Sequence, residues 1–217
     1  PILEKEKPDF IFVHGDTSTT FVSSLAAYYL QVKIAHVEAG LRTYNKYAPF
    51  PEEMNRKLTG ALTDVHFSPT PESMSNLIKE NVDPKNIIVT GNTVIDALFH
   101  IKNKIEKNEY TYDELKDLKF DKKILLVTGH RRENFGEGFL NICSAIKKIA
   151  NMYRDMNIIY PVHLNPNVRK PVFEIIGNIS NVILIEPVSY VPFIKLMMNS
   201  HIILTDSGGI QEEAPSL

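Results

Sequence analysis

An apolar run, His201-Ile202-Ile203-Leu204-Thr205, leads directly into Asp206-Ser207-Gly208-Gly209-Ile210-Gln211-Glu212-Glu213. Glycines let a backbone approach a ligand closely, and the unpaired N–H groups of a starting helix favour an anion. Carboxylates one turn further on can accept hydrogen bonds from hydroxyls of the same ligand. The stretch therefore reads as a seat for a nucleotide phosphate and ribose, the alternative being a tight strand-to-helix connection. Similar polar residues end other apolar runs. Asp16 stands in His14-Gly15-Asp16-Thr17, Glu38 in His36-Val37-Glu38-Ala39-Gly40, and Glu52 and Glu53 open a helix after a proline-containing loop. His130 follows Thr128-Gly129, and His163 follows Tyr160-Pro161-Val162. Cations and helix N-termini can hold phosphates while carboxylates act on a sugar ring.

Each residue also has a plainer reading. Asp16 can cap a helix that starts at Thr17. Glu52 can be a first-turn carboxylate that favours the helix dipole. Arg131 and Arg132 can be a solvated pair. His36 and His66 lie inside strands and read as core histidines. No H-x-x-x-H or C-x-x-C spacing supports a metal site. What favours a shared site is that these residues fall together at strand and loop ends, where open α/β sheets bind ligands.

The elements that must position them follow from periodicity. Short apolar runs predict strands at 10–14, 33–38, 65–68 and 87–89, then at 123–127, 157–162, 182–185 and 202–205. Helical spacing predicts helices at 17–30, 52–62, 72–80 and 94–105, then at 139–153, 168–176 and 190–198. Cys143 falls on the buried stripe of the 139–153 helix and reads as inert packing. Residues 107–122 are charge-rich (Glu109, Asp113, Glu114, Lys116, Asp117, Lys119) and read as a linker. Alternating strands and helices on both sides imply two doubly wound parallel sheets facing a cleft. The expected division is a partial Rossmann-like domain at 1–106, the linker, and a second partial domain at 123–217.

Composition narrows the class. Hydrophobic residues make up 43% and charged residues 23% of 217, which is ordinary for a globular protein. A net charge of −2 gives no reason to expect a nucleic-acid partner, and no apolar run is long enough to span a bilayer. One cysteine excludes an internal disulfide, and the cytoplasm is the natural compartment. Residues 1–5 read as the tail of a helix and 214–217 as the start of another element, so the chain reads as part of something longer.

Several segments resemble the non-hydrolysing UDP-N-acetylglucosamine 2-epimerases. They are His14-Gly15-Asp16-Thr17-Ser18-Thr19-Thr20, His36-Val37-Glu38-Ala39-Gly40-Leu41-Arg42-Thr43, Pro51-Glu52-Glu53-Met54-Asn55-Arg56 and Thr90-Gly91-Asn92-Thr93-Val94-Ile95-Asp96. Gly129-His130-Arg131-Arg132-Glu133-Asn134, His163-Leu164-Asn165-Pro166-Asn167-Val168-Arg169 and Asp206 to Glu213 continue the likeness. The resemblance implies a glycosyltransferase-B architecture, here without the family's opening strand and the rest of its C-terminal half, and a homodimer. It implies reversible conversion of UDP-GlcNAc to UDP-ManNAc, without NAD or an essential metal, through elimination and re-addition of UDP. It also implies a place in polysaccharide biosynthesis. Carried over by motif, Asp16, Glu38 and Glu52 are the acid/base candidates, and His130 assists at the leaving phosphate. Arg131 and His163 contact diphosphate, Phe193 lies next to uracil, Ser207, Gly208 and Gly209 seat a phosphate, and Glu213 accepts from ribose. Val188 departs from the family, which often carries Gln there. A UDP-sugar glycosyltransferase of the same architecture, a hydrolysing epimerase and a nucleotide-sugar-binding module are the alternatives.

Overall fold

The computed structural model describes residues 2–131 and 134–217. The chain divides into two compact units, one ending at Thr93 and the other beginning at Val94. No helix of the described residues is long and apolar enough to cross a membrane.

The first unit contains a four-stranded parallel sheet in the order β1 (Phe10–His14), β2 (Lys33–Val37), β3 (Val65–Ser68), β4 (Ile87–Val89). Parallel neighbours need a crossover, supplied here by α2 (Ser18–Tyr29), α3 (Glu52–Leu62) and α4 (Pro71–Lys79). A short α1 (Ile2–Glu6) precedes β1. Side chains alternate along a strand. Ile11 and Val13 of β1 therefore pack with Ala27 of α2 and Leu62 of α3, while Phe12 on the opposite face is 70% exposed and stacks on Phe67. Gly40 follows β2 at φ 88°, and a Cβ there would lie 2.3 Å from the Ser73 carbonyl of α4. Only glycine allows that approach.

The second unit holds a parallel sheet in the order β7-β6-β5-β8: β5 (Ile124–Thr128), β6 (Asn157–Pro161), β7 (Val182–Ile185) and β8 (Ile202–Thr205). Its helices are α5 (Thr93–Glu106), α6 (Glu137–Met152), α7 (Pro166–Ile176), α8 (Tyr190–Asn199) and α9 (Gly208–Glu213). Alternation along β5 splits the core in two. Leu125 and Val127 pack with Phe139, Cys143 and Ile146 of α6 and Val168 and Val172 of α7. Ile124 and Leu126 pack with Leu98 and Ile105 of α5 and Ile194 and Leu196 of α8. Helices on both faces make the sheet doubly wound, as expected. Cys143 is fully buried, and burial pushes its thiol up to about 11.

The expected linker at 107–122 does not stand apart from the second unit. Tyr110, Tyr112, Leu115 and Leu118 pack into the core cluster of α5 and α8. The helix expected to close a 1–106 domain is α5, and its Leu98 and Ile105 belong to the same cluster. The charges that suggested a linker lie between these apolar side chains, so composition alone obscured the packing.

His36 and His66 face each other as register partners on β2 and β3, each 1% exposed. Burial, the largest influence on both, lowers each imidazole from 6.5 to about 4. The unfolded chain takes up protons at these rings as pH falls below 6.5, and the folded chain does so only near 4. Stability contributed by keeping the rings neutral is therefore present above that window and lost as pH falls through it, by at most roughly 3 kcal/mol per ring. Urea unfolding measured across this range should show that decline, and a pair of His36→Asn and His66→Asn substitutions should flatten it.

Candidate functional site

In the first unit the strand-end carboxylates gather around one cation. Arg56, on α3, has a side chain only 7% exposed. Its Nη2 lies 2.6 Å from Asp16 Oδ2 and 3.2 Å from Glu38 Oε2, and its Nη1 donates to the Glu38 carbonyl. Charge-assisted bonds of this kind are the strong ones. Glu38 sits at φ 65° directly after β2, a left-handed turn that directs its carboxylate toward Gly15 and Arg56. Asp16 is kept in register by Asn55, whose Nδ2 donates to the Asp16 carbonyl at 3.0 Å. His36 bonds the Gly15 carbonyl through Nε2 at 2.8 Å and steadies the same turn.

Asp16 does not cap α2. Thr17 is the N-cap, and its hydroxyl accepts the Thr20 N–H, which leaves the Asp16 side chain to Arg56. Glu52 is the first residue of α3, and its side chain has no hydrogen bond or ion pair among the described residues. Its neighbour Glu53 is buried and accepts the backbone N–H groups of Thr43 and Tyr44, each at 3.0 Å. Glu53 thus fastens the loop between β2 and α3. Arg42 pairs with Glu80 through two bonds, at 2.7 and 3.0 Å, and is structural.

In the second unit the sequence order reverses at β5: β6 and β7 lie to one side and β8 to the other. Such a switch point leaves a crevice beyond the strand ends. Asp206, after β8, accepts the backbone N–H of His130 at 3.1 Å, the N–H of Arg131 at 2.9 Å and the Asn134 amide at 3.0 Å. One carboxylate therefore ties the loop after β5 to the loop after β8. Thr128 and Thr205 hydroxyls meet at 3.1 Å beneath it, and buried Tyr160 donates to the Gly129 carbonyl at 2.8 Å. Burial raises the Tyr160 phenol, so it stays a donor.

A cavity of about 210 Å³ opens at this point, lined by His130, His163, Phe193 and Ser207 together with Thr128, Gly129, Pro161, Pro187, Val188 and Ile210. The His130 and His163 rings stack with centroids 5.3 Å apart. Four of the expected nucleotide-contacting or leaving-group residues thus share one wall, and Val188, the position that departs from the family, lines it too. Arg131 lies beside the glycine turn, with Nη2 3.3 Å from where a Gly208 Cβ would be. Gly209 is exposed at the start of α9. Glu213 is buried and bonds Tyr190 instead of lining the cavity. Arg132 and Glu133 of the quoted motif lie outside the described residues. No cluster of three His, Cys, Asp or Glu side chains is placed to hold a metal among the described residues.

Sequence reasoning gave no role to Arg56 or Tyr190, and it placed Glu53 and Asp206 among the polar residues at element ends without the structural ties they make. Arg56 and Asp206 stood inside quoted motifs, but nothing local distinguishes a buried clasp from a surface charge.

The family model for UDP-N-acetylglucosamine 2-epimerase matches residues 1–217. The UDP-N-acetylglucosamine 2-epimerase of Escherichia coli (strain K12) is 55% identical over 221 residues, covering all of this chain and 59% of the relative. The chain therefore spans 59% of that relative's length. Among solved structures, the UDP-GlcNAc 2-epimerase from Neisseria meningitidis bound to UDP-GlcNAc superposes with a TM-score of 0.92 at 50% identity, over 99% of this chain and 58% of that one. The Methanocaldococcus jannaschii UDP-GlcNAc 2-epimerase in complex with UDP-GlcNAc and UDP gives 0.80 at 37% identity, over 99% and 59%.

Replacing Arg56 by Met would leave the Asp16 and Glu38 carboxylates together without their cation. Loss of one partner from a buried ionic cluster costs about 3 kcal/mol or more near pH 7. Urea unfolding of parent and Arg56→Met at pH 7 measures this, and a deficit below about 1 kcal/mol, the range of an exposed ion pair, would show that Arg56 does not hold these turns together.

Proposed function

The chain belongs to the UDP-N-acetylglucosamine 2-epimerase family, and from that premise we propose that the whole protein interconverts UDP-GlcNAc and UDP-ManNAc. The observation that carries this reading is the pair of carboxylates, Asp16 and Glu38, held by one buried guanidinium, in a chain matched by the family along its full length. The C2 proton of the sugar is not acidic, because no carbonyl activates C2. Its removal becomes feasible only as the bond from C1 to the diphosphate oxygen stretches and the ring turns positive. A carboxylate takes the C2 proton, the C–H electron pair forms the C1=C2 bond, and the C1–O pair leaves with UDP. The resulting 2-acetamidoglucal then receives a proton at C2 on the opposite face while UDP adds back at C1.

Asp16 and Glu38, tied to Arg56, supply negative charge toward the ring. Glu52, whose side chain is uncommitted among the described residues, is free to exchange a proton. His130 assists the leaving phosphate, and Arg131 and His163 hold the diphosphate. The N–H groups of His130 and Arg131 already serve Asp206, so among the described residues the phosphate is assigned to the open first turn of α9, where Gly208 and Gly209 follow Ser207. Phe193 packs against uracil, and Glu213 accepts from the ribose. The whole protein acts as a homodimer in the cytoplasm and feeds polysaccharide biosynthesis. The exposed Val22, Tyr28 and Tyr29 on α2, a helix without charged residues, support self-association.

Incubating the whole protein with UDP-GlcNAc in heavy water should place deuterium at C2 of both UDP-sugars. Absence of exchange would sink the reading. Free ManNAc would indicate hydrolysis, and transfer to an acceptor without exchange a glycosyltransferase. Asp16→Asn should lower kcat by about a hundredfold, as expected for loss of a group acting on the reacting centre. Near-normal turnover would remove Asp16 from the chemistry.

A further inference from the structure

Glu213 ends α9 and is 4% exposed, and its Oε1 accepts the Tyr190 hydroxyl at 2.8 Å. This bond joins the start of α8 to the end of α9. Phe193, a wall of the 210 Å³ cavity, lies three residues after Tyr190, and Ile210, another wall, three residues before Glu213. Residues three apart share a helix face, so the bond sits one turn along from the cavity wall on both helices.

Carboxylate oxygens this buried need hydrogen-bond donors. The Tyr190 phenol is such a donor. Burial, and then its bond to Glu213, pushes the phenol up to about 12, so it remains protonated and can only give its hydrogen to the carboxylate. With Oε1 committed, the Glu213 rotamer is fixed, and Oε2 is the oxygen left to accept from another hydroxyl.

Tyr190 is itself anchored. Ser189, the N-cap of α8, gives its backbone N–H to Glu114 Oε1 at 2.9 Å and its hydroxyl to Oε2 at 3.1 Å. Glu114 lies in the 3-10 turn Asp113–Leu115, within the segment expected to be a linker. The chain of contacts runs from Glu114 through Ser189 and Tyr190 to Glu213.

We propose that Tyr190 is a positioning residue for nucleotide recognition, orienting Glu213 so that its second oxygen accepts from a ribose hydroxyl. The inference rests on Glu213 being the ribose acceptor. A role limited to fold stability would weaken binding of every nucleotide alike, whereas positioning Glu213 affects only nucleotides that carry the ribose hydroxyls.

Titration calorimetry on the whole protein with UDP and with 2′,3′-dideoxyuridine diphosphate separates these effects. The parent should prefer UDP by about tenfold or more, the range of a hydrogen bond to a charged group. Tyr190→Phe should reduce that preference by about fivefold while leaving dideoxy binding within about twofold. Glu213→Gln should reduce it as well, and the double variant should add little further loss. An unchanged preference in Tyr190→Phe, or equal weakening of both nucleotides, overturns the inference. If the parent shows no preference, the ribose role of Glu213 falls and takes this inference with it. If Tyr190→Phe fails to melt cooperatively, Glu213→Gln in the parent background carries the test, and a retained preference there overturns the proposal.

Discussion

A single guanidinium organises the first unit. Arg56 is almost wholly buried, and a buried cation is tolerated only where anions and carbonyls satisfy it. Asp16, Glu38 and the Glu38 carbonyl meet that demand, and meeting it fixes the turn after β1, the turn after β2 and the start of α3 relative to one another. The left-handed conformation of Glu38 and the close approach of Gly40 to α4 belong to the same arrangement. Two carboxylates this close repel each other in the absence of the cation, and with it they form a compact site of net negative charge. That charge suits a ligand in which positive charge develops.

The second unit uses the opposite sign for the same purpose. Asp206 is an anion placed among backbone N–H groups at the switch point of a doubly wound sheet. It holds the turn carrying His130 and Arg131 against the turn carrying Ser207 and the two glycines. It also occupies donors that would otherwise be open to phosphate. The stacked imidazoles, Phe193 and Ser207 then form a small cavity whose shape follows from that tie. In each unit, strand order delivers loops to one end, and one charged side chain sets the spacing between them.

Much of the framework was legible from residue order because strand and helix periods are local. The apolar runs at 10–14, 65–68, 182–185 and 202–205 and the helix at 52–62 agree with β1, β3, β7, β8 and α3. The segment 107–122 was less legible: Tyr112, Leu115 and Leu118 are spaced among charges, and only their common burial against α5 and α8 reveals a packed face. The cap of α2 was equally ambiguous, since Asp16 and Thr17 are both good N-cap residues. The choice went to Thr17 because Arg56 draws the Asp16 carboxylate away.

The sequence by itself determined which residue types stand at the strand ends, and with them the family and the kind of chemistry available. Only the tertiary structure decided which of those residues act on one another. Asp16 and Arg56 are 40 positions apart, Asp206 and Arg131 75, and Tyr190 and Glu213 23. A hydrogen bond needs donor and acceptor within about 3 Å in a suitable direction. At such separations that distance is set by strand order and helix packing, and no local spacing in the sequence encodes it.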